Sequence, residues 1–132
     1  MTYGVRKIAG VGPAVAKKLA AADIRTTDAL LNASNGRRER RLLSERTGLP
    51  ERQLRRFVNM ADLMRIRGIG GDFAELLGAS GVRTVRDLSR RRAFNLATKM
   101  STVNAARKLS RRAPSAPMVE RWIAQARELK GD

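Results

Sequence analysis

The sequence contains no cysteine and no histidine. Disulfide frameworks, Cys/His zinc sites, cysteine nucleophiles, Ser-His-Asp relays and histidine bases are therefore excluded. Aromatic residues make up only 4% of the chain, too few for a surface that stacks single-stranded bases. No GxxxxGK[ST] phosphate loop occurs. No run approaches the roughly 18 apolar residues of a membrane-spanning helix, and the opening MTYGVRKIAG lacks the apolar stretch of a secretory signal. Acidic residues are also sparse, at 12 against 28 Lys+Arg. These absences point to a binding protein without metal or cofactor, not an enzyme, with the cytoplasm as the expected location and nucleoid association as an option.

What is present is a cationic, core-forming chain. Its 132 residues, 42% of them apolar, suit one compact body or two small, mutually dependent halves. The formal charge is +16, the pI is near 11.8 and the mean hydropathy is −0.39. Arginine supplies 22 of the basic residues and lysine six. The charge gathers at Arg37, Arg38, Arg40 and Arg41, at Arg52, Arg55 and Arg56, at Arg90 to Arg92, and around Arg107 to Arg112. A field of that size on so small a body calls for a polyanion. Nucleic acid is the first expectation. A membrane surface is disfavoured, because the clusters are spread along the chain and do not form one basic amphipathic helix.

The chain repeats itself. The segment IAGVGPAVAKKLAAADIRTTDAL, from Ile8, realigns without a gap on IRGIGGDFAELLGASGVRTVRDL, from Ile66. Matched pairs include Gly10/Gly68, Val11/Ile69, Gly12/Gly70, Ala16/Ala74, Leu19/Leu77 and Thr26/Thr84. A weaker echo pairs LRRFVNMA, from Leu54, with VERWIAQA, from Val119; each places apolar residues at i, i+3, i+4 and i+7. Two units, 1–63 and 64–132, follow from this pattern, packed together because each alone would be marginal.

The expected secondary structure is all helical. Helices are predicted over Pro13–Ala22, from Thr26 to Ala33, over Arg37–Thr47 up to Gly48, and over Pro50–Met64. In the second unit they are predicted from Thr84 to Arg91, over Phe94–Met100, over Thr102–Arg112 and over Pro117–Lys130. No stretch alternates at period two, so no sheet is expected. Trp122 lies on an apolar stripe and reads as core, as do Met60, Met64, Met100 and Met118.

The segments Ile8-Ala9-Gly10-Val11-Gly12 and Ile66-Arg67-Gly68-Ile69-Gly70, each followed by a helix, resemble helix-hairpin-helix motifs. The whole chain resembles the domain-of-unknown-function 4332 family, most strongly over Leu63–Leu129. The resemblance implies a tandem helix-hairpin-helix repeat in a SAM-domain-like helical bundle. It also implies a grip on DNA backbone, double-stranded or branched, without sequence preference.

The chemistry of the turn supports that implication independently. Glycines flanking Val11 or Ile69 permit positive φ and close approach, while the central residue can point inward. Amides at the start of the next helix are unpaired and lie at its positive end, where a phosphate oxygen can be accepted. The candidate contacts are Gly10, Val11, Gly12 and Ala14 with Lys7, Lys17 and Lys18, and in the second copy Arg65, Arg67, Gly68, Ile69 and Gly70. The copies differ: Glu75 stands where the first has Lys17, and Asp72 where it has Ala14, so the first turn is the stronger candidate. Asp72 and Glu75 have no metal-binding neighbours in sequence, which argues against catalysis. A tight packing turn is the simpler reading of the same glycines. An RNA-binding role, or a protein-interaction adaptor exposing Leu42, Leu43 or Phe94, are the alternatives.

Overall fold

A computed structural model describes residues 2–129, and among these every extended element is an α-helix. A 3-10 turn, Val5–Lys7, leads into α1 (Pro13–Ala21), α2 (Thr27–Ala33), α3 (Arg37–Thr47) and α4 (Glu51–Leu63). The chain continues with α5 (Gly71–Ala79), α6 (Val85–Ser89), α7 (Ala93–Arg107) and α8 (Ala116–Leu129). The one β-type pairing among the described residues is an isolated bridge between Gly4 and Thr26. The fold is all-α.

The helix limits follow local chemistry. Pro13 occupies the first turn of α1, where its missing N–H costs nothing. Thr26 and Thr84 cap α2 and α6: each hydroxyl accepts the amide three residues on, Ala29 and Asp87, at 3.1 Å. Gly48 ends α3 in a left-handed conformation, and the extended Pro50 precedes α4. Ser115 accepts the Met118 amide at 3.3 Å at the head of α8. The expected α8 residue Lys130 lies outside the described residues.

Helices α6 and α7 differ from expectation in their boundaries. Phe94–Met100 and Thr102–Arg112 are not separate helices, because α7 runs unbroken from Ala93 to Arg107. Ser101 and Thr102 look like cap residues, yet the Thr102 hydroxyl donates to the Thr98 carbonyl one turn back at 3.2 Å and leaves the helix intact. The buried Leu96, Ala97 and Met100 hold this helix to the core. Its end comes earlier than Arg112. Lys108 turns left-handed at φ 53, and the Asn104 side chain clasps Ser110, accepting its amide at 2.9 Å and donating to its carbonyl at 3.1 Å. Helix α6 likewise stops at Ser89 rather than Arg91, with Arg90 and Arg91 amides closing the last carbonyls of Asp87 and Leu88.

Packing reproduces the sequence echo. Leu54, Phe57 and Ala61 turn inward from α4, which packs on α2 and α3. Val119, Trp122, Ile123 and Ala126 do the same from α8, which packs on α6 and α7. Contacts of α4 with α5 link the two sets, and the buried apolar residues of both belong to one continuous cluster. Fully burying a side chain as large as Phe57 or Trp122 stabilises by about 2–3 kcal/mol. Trp122 also meets the Phe73 ring at a centroid distance of 5.2 Å and a tilt of 57°. Met60, Met64 and Met100 are buried and Met118 is half-buried.

Candidate nucleic-acid interface

The two glycine bends have the same backbone path. Gly10 and Gly68 take φ of +95° and +98°, a region open to glycine and strained for other residues. Gly12 and Gly70 are extended, with φ/ψ of −86°/−173° and −92°/−169°. Within each bend the amide of Val11 or Ile69 donates to the carbonyl of Ile8 or Ile66 at 3.1 Å. Val11 and Ile69 are buried and anchor the bends from beneath.

The first glycine of each bend also has a packing role. A Cβ on Gly10 would lie 3.3 Å from the Phe57 ring, and one on Gly68 would lie 3.0 Å from Trp122 Nε1. Phe57 and Trp122 are matched positions in the α4/α8 echo, so each bend rests on the aromatic of its own closing helix. The packing reading of these two glycines is therefore correct as far as it goes. Gly12 is different: a Cβ there would meet nothing within 4 Å.

The helices leaving the two bends begin very differently. Helix α1 has no side-chain cap and no acidic residue in its first turn. Its first internal bond is from Ala16 N–H to the Gly12 carbonyl at 2.9 Å. The amides of Ala14 and Val15 consequently have no protein acceptor among the described residues. Pro13, Ala14, Lys17, Lys18 and Lys7 are exposed around them. In α5, by contrast, Asp72 stands in the first turn. One of its oxygens accepts the Phe73 amide at 3.0 Å and the other accepts the Ser110 hydroxyl at 2.9 Å.

At the second bend one basic side chain is engaged, and the other residue is held by its main chain. Arg65 pairs with Asp62 at 2.9 Å, whose other oxygen accepts the Val85 amide at 2.8 Å. The Arg67 main chain is held by Gln125, which accepts its N–H at 2.9 Å and donates to its carbonyl at 3.2 Å. Glu75 pairs with Arg56 at 3.2 Å. Asp72 therefore takes up one amide and places a carboxylate at the second helix start, whereas the first start carries neither.

Sequence reasoning missed three residues that shape this region. Gly71 is the first: a Cβ on it would lie 2.0 Å from the Lys7 carbonyl oxygen and 3.7 Å from the Ala9 amide nitrogen. The start of α5 is thus pressed against the strand of chain that enters the first bend, and the two bends lie side by side. Arg56 is the second, with Nη1 3.0 Å from where a Gly10 Cβ would be. Its position directly before Phe57 in the α4/α8 echo was the available signal. Gln125 is the third, and nothing in the spacing marks it.

Among the described residues, no group of three or more acidic side chains is placed to hold a metal ion. No helix among them is long and apolar enough to cross a membrane. Ion pairs take up Arg25, Arg56 and Arg65, so much of the cationic surface has no carboxylate partner. The molecule belongs structurally to the small all-α proteins, with an internally repeated glycine bend. By sequence it belongs to the family described as a domain of unknown function, DUF4332, whose model matches residues 9–129. No curated protein and no solved structure gives a significant match.

Proposed function

We propose that this protein is a non-enzymatic, non-sequence-specific nucleic-acid-binding module of the tandem helix-hairpin-helix kind, acting on double-stranded or branched DNA in the cytoplasm or nucleoid. The observation that carries this reading is the uncapped start of α1. Free amides at Ala14 and Val15 and the open Gly12 sit beside Lys17 and Lys18, with no carboxylate in the first turn. A phosphate oxygen fits that arrangement, drawn by the helix dipole and two ammonium groups. The adjoining second bend, with Asp72 across its helix start, acts as a structural copy that sets the orientation of the first. Units 1–63 and 64–132 are the two copies.

Fluorescence anisotropy with a labelled duplex, a branched junction, a single strand and an RNA hairpin at one salt concentration tests this. Duplex or branched DNA is expected to bind most tightly. Its affinity is expected to fall with salt by about 0.9 log units per decade for each phosphate contacted. Absent binding, or binding indifferent to salt, refutes the proposal, and preference for the RNA hairpin moves it to RNA. The adaptor alternative is supported by two exposed apolar side chains, above all the Phe94 ring, which is 73% exposed on α7. Leu42 is half-exposed, whereas Leu43 is buried and unavailable to a partner.

A further inference from the structure

A concentration of unpartnered charge lines a groove of about 530 Å³ between α4 and α5, which reaches the first glycine bend through Arg56. Arg52, Arg55 and Arg56 line it from successive turns of α4, Arg83 from the turn before α6, and Arg107 from the last turn of α7. Glu75 is the one carboxylate in the lining, and Arg56 already holds it at 3.2 Å. Arg52, Arg55, Arg83 and Arg107 have no carboxylate partner among the described residues. Four arginines around one concavity make its potential positive, which favours an anion with several charges.

The floor has a different character. Gly78 and Ala79 from α5 are its accessible part, backed by Met60, Leu63 and Ala74, which are buried beneath. Small residues on α5 keep it open: a Cβ on Gly78 would meet nothing within 4 Å. An apolar floor suits a flat ring, and the Asn59 amide at the side can both donate to and accept from a base edge. The volume falls within the roughly 300–1,000 Å³ usual for small-ligand sites.

We propose that the α4–α5 groove binds a nucleoside triphosphate, with the phosphate chain among Arg52, Arg55, Arg83 and Arg107 and the base over Gly78 and Ala79. This site neighbours the phosphate seat at the first bend but uses different residues.

Calorimetric titration of the full chain with ATP, inorganic tripolyphosphate and adenosine tests it. ATP is expected to bind more tightly than either fragment. Gly78→Met, which starts a side chain where a Cβ meets nothing within 4 Å, is expected to abolish ATP binding while keeping the helical circular dichroism of the parent and a melting temperature no lower. Arg83→Gln and Arg107→Gln are each expected to weaken ATP by roughly tenfold, the loss of one charge-assisted contact. Gly12→Asp, at the first bend, is expected to leave ATP binding unchanged. Three results overturn the proposal: no ATP binding, tripolyphosphate binding as tightly as ATP, or ATP binding that survives Gly78→Met. If the groove variants weaken duplex DNA and leave ATP unaffected, the groove is part of a nucleic-acid track instead.

Discussion

Placing an aspartate at position 12 separates stability from binding in opposite directions. Gly12 is the N-cap of α1, its backbone is extended, and a side chain there meets nothing within 4 Å. An Asp at that position accepts the amides of Ala14 or Val15, which lack protein acceptors now. Its charge also opposes the helix dipole and the surplus of cations. A cap exchanged from glycine adds a few tenths of a kcal/mol, and the dipole adds about 0.3–1 kcal/mol. The fold should therefore gain about 0.5–1 kcal/mol. With an unfolding entropy of about 2.1 cal/mol/K per residue, this raises the melting temperature of a chain this size by about 2–4 °C. The same carboxylate occupies the proposed phosphate seat. Losing two amide-to-phosphate bonds at about 1.5 kcal/mol each removes about 3 kcal/mol, close to a 100-fold rise in Kd for duplex DNA. Differential scanning fluorimetry and anisotropy on the same preparation measure both quantities. Unchanged DNA affinity in a stabilised Gly12→Asp protein refutes the seat. A destabilised protein refutes the claim that those amides are free.

Gly71→Ala should destabilise by about 3 kcal/mol, because its Cβ would overlap the Lys7 carbonyl and only main chain can yield. Urea unfolding should show a lower midpoint with an unchanged slope, and tolerance of the alanine would disprove the contact. Thr26→Ala and Thr84→Ala should each cost about 1 kcal/mol, since the two caps share one geometry; thermal melts with clearly unequal losses would contradict the equivalence. Gln125→Leu should cost about 1 kcal/mol and speed hydrogen exchange at the Arg67 amide. Unaltered exchange at that amide would show that the clasp does not form in solution.

The bends, the threonine caps and the inward faces of α4 and α8 were legible in the sequence because each rests on interactions a few residues long. The repeat made them more legible still: Gly10 and Gly68 differ by only a few degrees in φ because the same local pattern is written twice. Helix α7 was misread for the converse reason. Ser101 and Thr102 carry a cap signal, but one hydroxyl bonds back within the helix and burial of Met100 outweighs the rest. The asymmetry of the two helix starts was half visible, since Asp72 and Glu75 stand out against Ala14 and Lys17. Their partners were not, because Ser110 and Arg56 reach them from distant elements. The arginine groove was invisible for the same reason. Its cations come from three helical neighbourhoods, and only α4 shows a suggestive spacing.

The bare α-carbon of residue 71 against the carbonyl of residue 7 has a geometric consequence. A van der Waals touch with no side chain between cannot be lengthened or shortened by a rotamer change, so main chain alone sets the spacing of the two bends at this point, a fixed gauge. A nucleic acid spanning both would have to match that fixed gauge by its own curvature. Discrimination among straight, bent and forked forms would then come from the shape of the ligand, with the protein holding still.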